Sequence, residues 1–392
     1  MEYLTPKKVR ISTIVVRITG AAYFLALIWN FQWVITNLNG DSFFSLLISI
    51  TFLFAMVLVT ISGIMLVINH WRFSMIKPNL LTIKSKPEVA VLIPTCGEPI
   101  DIVLNTLRSV ISQNWPEDKR VVVISDDGYN DNLKAAIEKF KRDNNEEKRV
   151  IYHRPHKKGH PERIGDAKAG NLNSALHLIM KQFPRILYVE TRDADDLVGS
   201  KDFLSFCLEV LIKDPKVSFV QTIKQCKVRE GDPFCNQESI FYQRVMPARH
   251  ASNAVFPCGS GLVWRISELK RINGFPSWNL VEDLQSGYEI LRRGGAGAFL
   301  PIIGTIGQVA PEDIPNFYKQ RGTWALDTLR LLYYKNPLFT RGLSIWQKLQ
   351  FLELEFSYLL SFAMAIFIFN LSLSLAFGVY PIISSSENVL LL

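Results

Sequence analysis

Hydrophobic and polar positions divide this chain into apolar flanking segments and an alternating central block. Three segments, residues 11–38, 43–68 and 356–383, carry no charged residue except Arg17. A helix needs about 20 apolar residues to cross a bilayer, and each segment exceeds that length. We therefore predict three transmembrane helices, two before the central block and one after it.

The central block alternates short β-type apolar runs with helical patterns. The predicted strands cover residues 89–94, 121–125, 150–153, 186–190, 217–221, 261–264 and 298–301. The predicted helices cover residues 100–112, 133–141, 167–183 and 284–293. This alternation predicts an α/β fold, Rossmann-like, with a mostly parallel sheet and right-handed crossovers. A further amphipathic run at residues 315–334 predicts a helix at the membrane surface.

Basic residues indicate how the chain is oriented. They precede the first apolar segment and follow the second, and they are Lys7, Lys8, Arg10, Arg72, Lys77, Lys84 and Lys86. The positive-inside rule then places the amino terminus and residues 71–350 in the cytoplasm, and we expect an integral protein of the plasma (inner) membrane. The net charge of +8 fits attraction to membrane lipid, and the chain has no motif for nucleic-acid binding. Five scattered cysteines without a CxxC pair fit a reducing compartment.

Acidic groups follow two of the predicted strands. Asp126-Asp127-Gly128 comes after residues 121–125, and Asp193-Ala194-Asp195, with Asp196 adjacent, comes after residues 186–190. Ligands of open α/β sheets bind at the carboxyl ends of strands, so both groups are expected in one crevice. Alternate residues of an extended segment share a face, so Asp193 and Asp195 can present oxygens to one Mg²⁺ or Mn²⁺. Such an ion holding a nucleoside diphosphate, with one carboxylate left as a base, favours a nucleotide-sugar glycosyltransferase.

Each acidic group also has a purely structural explanation. An Asp-Gly pair is common in turns, and the acids at residues 193–196 would also suit a solvated loop. Glu282 and Asp283 open a predicted helix, where the helix dipole favours acids whatever their function. As a functional alternative, one of the two takes the proton from an attacking sugar hydroxyl.

An ordered series of motifs resembles the family 2 glycosyltransferases with a GT-A fold, and is closest to bacterial cellulose synthase catalytic subunits. The motifs are Val91-Leu92-Ile93-Pro94-Thr95, Ala167-Lys168-Ala169-Gly170-Asn171, Val220-Gln221-Thr222, Cys258-Gly259-Ser260 and Asn336-Pro337-Leu338-Phe339. With this resemblance, residues 1–70 are expected to hold two transmembrane helices and residues 71–310 the cytosolic catalytic domain. Residues 311–350 would form interface helices, and residues 351–392 a transmembrane helix and tail.

The resemblance also implies roles for individual residues. Asp283 would be the catalytic base, and Asp193 and Asp195 would hold the metal ion. The residues expected to contact the donor are Thr95, Glu98, Asp127, Lys168, Asp193, Gln320 and Arg321. Those expected to contact the acceptor are Cys258, Gly259, Ser260, Glu282 and Trp324, whose flat ring would stack on the terminal sugar.

Several positions depart from the family pattern. The QxxRW motif has Thr323 where the family has an arginine that helps to hold the diphosphate. Arg321 lies nearby in the same motif, but on a helix its side chain points about 160° away from that of position 323. The usual Tyr-Asn after the first strand is Cys96-Gly97, and Thr-Glu-Asp reads Val281-Glu282-Asp283. Cellulose synthase-like enzymes use several further spans as a polymer channel, so residues 351–392 are expected to represent an incomplete channel region.

These observations predict a membrane-bound, inverting, metal-dependent glycosyltransferase. It would transfer glucose from UDP-glucose to a growing β-linked polysaccharide, with other synthase or export subunits as partners. A second hypothesis keeps the chemistry but makes a membrane lipid the acceptor, so that the product is a glycolipid. A third hypothesis is a catalytically silent assembly or regulatory subunit, which Thr323 would favour and the retained acids would not.

Overall fold

The computed structural model describes residues 6–82, 85–146, 149–279 and 281–384. The chain divides into two compact units. One unit is made of the chain up to residue 73 and from residue 345 onward, and the other is residues 74–344. The second unit contains the sheet and all the acidic groups singled out above.

Within the described part of the first unit, three helices are long and apolar enough to cross a membrane, by length and composition. They are α1 (Pro6–Thr36), α2 (Phe43–His70) and α11 (Ile345–Phe377). Helix α2 packs against α11, with the Phe52 and Phe367 ring centroids 5.4 Å apart. Helix α11 begins before the predicted residue 356 and ends before residue 383. It ends because Gly378 adopts a left-handed φ of 66° and its N–H caps the helix by donating to the Ser374 carbonyl.

A mixed sheet forms the centre of the second unit. Among the described residues, its eight strands are β1 (Val89–Thr95), β2 (Arg120–Asp126), β3 (Val150–His153), β4 (Tyr188–Thr191), β5 (Asp196–Val198), β6 (Val217–Cys226), β7 (Leu262–Arg265) and β8 (Ala296–Gly307). They lie in the order β3-β2-β1-β4-β7-β6-β8-β5. The ladders from β3 to β4 are parallel, as the alternating pattern predicted. Strand β7 is antiparallel to both of its neighbours, and β5 is antiparallel to β8. Strands β6 and β8 are longer than predicted, and their register shifts mark irregular pairing that an apolar count does not detect.

Helices cover both faces of the sheet. They are α3 (Ile100–Ile111), α4 (Asp131–Asp143), α5 (Ala167–Gln182), α6 (Phe203–Lys213), α7 (Met246–Ala251), α8 (Ile266–Arg271), α9 (Glu282–Arg292) and α10 (Ile314–Tyr334). In β1, Ala90 and Leu92 pack in the cluster that contains α5, whereas Val91 and Ile93 pack in the cluster that contains α3 and α4. Because both faces are buried, β1 is apolar at successive positions instead of alternating with polar residues.

The antiparallel strands explain how distant segments meet. Strand β7 runs opposite to β4, and Leu262 at its start pairs with Thr191 at the end of β4. The loop before β7 therefore lies beside the segment that follows β4. Strand β6 runs opposite to β7, with Gln221 paired to Leu262, so its last residues extend past β7 toward the same edge.

Candidate active site

The segment after β4 and the loop before β7 are joined by hydrogen bonds. The Asp193 N–H donates to the buried Ser260 hydroxyl at 3.0 Å. The buried Gln221 side chain in β6 accepts from the Cys258 N–H at 2.7 Å and donates to the Ser260 carbonyl at 3.3 Å. Ser260 and Cys258, predicted to bind the acceptor, thus hold the backbone around Asp193.

Asp193 lies between two lysine side chains. The Lys168 Nζ, from α5, is 2.5 Å from one oxygen of Asp193, and the Lys224 Nζ, from β6, is 3.0 Å from the other. Lys224 is also 3.0 Å from the buried carboxylate of Asp196. Burial alone would raise the pKa of Asp193, but the two ammonium groups outweigh it and hold this pKa well below its usual range. The two lysines therefore favour the ionised form of Asp193.

Asp193, Asp195 and Asp196 form a cluster whose oxygens lie within 4.8 Å of one another. Asp193 and Asp195 lie on a turn between β4 and β5, and not on an extended segment, so it is the turn that brings their oxygens together. Burial, together with the neighbouring charges of Asp196 and Asp193, raises the pKa of Asp195 to about 6. Asp196 contributes a third carboxylate, which is buried and has its Oδ2 3.0 Å from the Lys224 Nζ. Three crowded carboxylates are the donor set that a hard divalent cation such as Mg²⁺ or Mn²⁺ prefers.

Asp283 and Glu282 approach this cluster from the first turn of α9. The Glu282 carboxylate is 3.3 Å from the Lys168 Nζ, and it is almost completely buried. The Asp283 carboxylate accepts a hydrogen bond from the Leu284 N–H at 2.7 Å. Burial and the neighbouring charge of Glu282 raise the pKa of Asp283 to about 7, although Lys168 acts in the opposite direction. A carboxylate with this pKa can accept a proton near neutral pH.

Gly259 marks the centre of the charged groups. Its φ of 81° lies in the left-handed region that favours glycine. A Cβ atom at this position would be 3.2 Å from Asp283 Oδ2, 3.2 Å from Lys168 Nζ and 3.9 Å from Asp193 Oδ2. The absence of a side chain at position 259 leaves the space into which these three groups point.

The neighbouring residues Asp126 and Asp127 make different contacts. Asp126 is fully buried and accepts hydrogen bonds from the backbone N–H groups of Gly128 and Asn130, so it holds the turn after β2. Asp127, predicted to contact the nucleoside, forms a two-pronged ion pair with Arg163 at 2.6 and 2.7 Å. Asp127 and Arg163 line an open recess of about 580 Å³, whose walls are Asp127, Gly128, Tyr129, Lys157, Lys158, Arg163, Asp166 and Ala167.

Thr95 and Glu98, also predicted to contact the donor, contact each other. The Thr95 hydroxyl donates to the Glu98 carboxylate at 2.6 Å, which also accepts from the Cys96 N–H. The Thr95 carbonyl accepts from the Asp127 N–H at 2.9 Å. This pair therefore shapes the backbone at the carboxyl end of β1, next to Asp127.

The segment from Gln320 to Trp324 lies in α10. Arg321 pairs with Glu238 at 2.6 Å, and its guanidinium lies over the Trp324 ring, 4.5 Å from the centroid. Thr323 lies on a different side of the helix, and its hydroxyl donates to the Lys319 carbonyl. Arg321, predicted to contact the donor, is paired with Glu238 and not with the carboxylates around Asp193.

Several residues of the site were missed from the sequence. Lys224 lies three residues beyond Val220-Gln221, on a strand predicted to end at residue 221. Arg163 precedes the Lys168 motif in a loop with no periodicity. The fully buried Arg192, directly before Asp193, pairs with Glu190 and donates to the Leu197 carbonyl, so it holds the turn. A charged residue inside an apolar strand, such as Glu190 in β4, is the one sequence signal that could have indicated this buried pair.

A mixed sheet with carboxylates gathered at its edge defines the GT-A class of glycosyltransferases. The chain belongs to the family described as "Glycosyltransferase like family 2", whose profile matches residues 87–326. This family membership confirms the resemblance seen in the ordered motifs.

The chain is similar to several cellulose synthases. It is 31% identical over 278 residues to the cellulose synthase catalytic subunit (UDP-forming) of Pseudomonas fluorescens, covering 67% of this chain and 34% of that protein. It is 29% identical over 320 residues to cellulose synthase 1 of Komagataeibacter xylinus, covering 78% of this chain and 19% of that protein. The chain thus spans about a third or less of these relatives.

Among solved structures, the chain is similar to a mannosyltransferase from Pyrobaculum calidifontis in complex with GDP-Man and Mn²⁺. The two share 18% sequence identity with a TM-score of 0.64, over 87% of this chain and 90% of the other. At this identity the likeness concerns the fold alone, and it confirms the predicted GT-A architecture.

Proposed function

We propose that this chain is a membrane-bound, inverting glycosyltransferase that transfers glucose from UDP-glucose to a growing β-linked polysaccharide. The observation that carries the proposal is the convergence of Asp193, Lys168 and Asp283 around Gly259. A diphosphate needs cations, and an attacking hydroxyl needs a base. This site has both within a few ångströms of one point.

Each of these residues has a chemical task in the proposed reaction. Lys168 and Lys224 bind the anionic oxygens of the donor diphosphate. Asp193, Asp195 and Asp196 would hold Mg²⁺ or Mn²⁺, which supplies Lewis-acid stabilisation of the departing diphosphate. Asp283 takes the proton from the acceptor hydroxyl as that oxygen bonds to the anomeric carbon. One displacement from the side opposite the diphosphate inverts the anomeric configuration.

The cellulose synthase relatives support UDP-glucose as the donor and a β-glucan as the acceptor. The three apolar helices support a location in the membrane, and the basic residues flanking α1 and α2 support a cytoplasmic catalytic unit. Interaction with membrane lipid and with further synthase or export subunits belongs to the same proposal.

The test is Asp283→Asn, which keeps the side-chain shape but removes the base. We expect turnover of radiolabelled UDP-glucose in membranes to fall by at least about a hundredfold, with UDP affinity near that of the wild type. Near-normal turnover would contradict the assignment of Asp283 as the base. Linkage analysis and partition of the product between water and organic solvent distinguish a glucan from a glycolipid. Absence of turnover in the wild-type protein would favour the silent-subunit hypothesis.

A further inference from the structure

Lys224 lies where two of the candidate metal-binding carboxylates face each other. Its Nζ is 3.0 Å from Asp193 Oδ2 and 3.0 Å from Asp196 Oδ2. The Lys224 side chain is about one quarter exposed, whereas Asp196 is buried. The ammonium group therefore reaches the acidic cluster from its accessible side and neutralises part of its charge.

A divalent ion and this ammonium group need the same oxygens. A magnesium ion binds carboxylate oxygens at about 2.0–2.1 Å, and any divalent ion at these oxygens repels a second cation held by them. Lys168 can stay in place, because it contacts the opposite oxygen of Asp193 and also has Glu282 as a partner. Lys224 must move when the ion enters, and its flexible four-carbon stem allows this.

We propose that Lys224 couples metal binding to nucleotide binding. Without nucleotide, its ammonium group occupies the carboxylates and weakens metal binding. A nucleoside diphosphate brings phosphate oxygens that accept this ammonium, which frees Asp193 and Asp196 for the ion. The inference rests on the proposed function, since it assumes that the diphosphate binds at this cluster.

The coupling is reciprocal by thermodynamic linkage. If the nucleotide raises the affinity for metal by some factor, the metal raises the affinity for nucleotide by the same factor. Typical coupling between two ligands is about 5- to 150-fold. Replacing Lys224 with an uncharged residue of similar length removes the competitor, so most of this factor should disappear.

The experiment measures Mn²⁺ binding to the full chain in detergent, from the electron paramagnetic resonance signal of free Mn²⁺, with and without UDP. We expect wild-type affinity to rise at least about tenfold with UDP. Lys224→Met should bind Mn²⁺ about tenfold more tightly than the wild type without UDP, and UDP should then add little. Lys224→Arg keeps the charge and should keep the coupling.

Lys213→Met is the matched control, because Lys213 is exposed on α6 and pairs there with a single carboxylate, that of the buried Glu209. It should leave both affinities unchanged, and thermal melting checks that each variant is folded. Equal enhancement by UDP in wild type and Lys224→Met would overturn the coupling while leaving the proposed function intact. If the wild type binds neither Mn²⁺ nor UDP, the proposed function itself fails and the coupling with it.

Discussion

The pH dependence of sugar transfer tests the base assignment most directly. Burial and Glu282 raise the pKa of Asp283 to about 7. The carboxylate is the active form, so activity is present above this pKa and is lost as pH falls through it. The ionised fraction is about 0.09 at pH 6 and about 0.9 at pH 8, so kcat/KM should rise about tenfold over this interval.

The Glu282→Gln variant should lower the pKa of Asp283. It removes the neighbouring negative charge and leaves Lys168 with one carboxylate fewer to pair with, and both changes favour ionised Asp283. The pKa should fall by about one unit, which is equivalent to about 1.4 kcal/mol. The midpoint of the acid limb should therefore move from near 7 to near 6.

The assay is kcat/KM for radiolabelled UDP-glucose between pH 5 and pH 9, since kcat/KM reports the free enzyme. Glu289→Gln is the control, because position 289 lies two turns further along α9, about 10 Å away by helical rise. Its midpoint should match that of the wild type. An acid limb near the ordinary carboxylate pKa of about 4, or one that Glu282→Gln moves upward, would refute the reasoning.

Three further changes probe the rest of the site. Asp195→Asn should weaken Mn²⁺-dependent UDP binding by about tenfold or more, and UDP titration with and without chelator measures this. Thr323→Arg should leave UDP affinity within about twofold, because lysines already supply the cations; a clear gain would show that position 323 faces the diphosphate. Glu238→Gln removes the ion pair of Arg321, whose guanidinium lies over the Trp324 ring. It should raise the acceptor KM about two- to fivefold with UDP affinity unchanged, whereas a loss of UDP affinity would support the predicted contact of Arg321 with the donor.

Local patterns predicted most of the regular structure because each element leaves its own periodicity in the chain. The apolar run at residues 89–94 became β1, and the amphipathic run at residues 315–334 became α10 (Ile314–Tyr334) with nearly the same bounds. The parallel order of β1 to β4 followed from the strand–helix alternation. The antiparallel placement of β7 did not, since no local pattern records which strand lies beside which.

The acidic site was also predicted only in part from the sequence. The sequence showed three acids within four residues, but it predicted that Asp193 and Asp195 share a face of an extended segment. The turn before β5 is what brings their oxygens and that of Asp196 together. Lys224 could not be assigned from the sequence. Its strand was predicted to end at residue 221, and its partners lie about 30 positions earlier in the chain.

Residue types and short spacings were sufficient to predict most of the elements, the apolar helices, the family and the acids available for catalysis. The tertiary structure decided which cations face those acids. Lys224 meets Asp193 because β7 lies between β4 and β6 and runs antiparallel to both, so the ends of β4 and β6 lie at the same edge of the sheet. Lys168 reaches the same carboxylate from the start of α5. Interactions between charges depend on distance in space and on burial, and chain folding sets both.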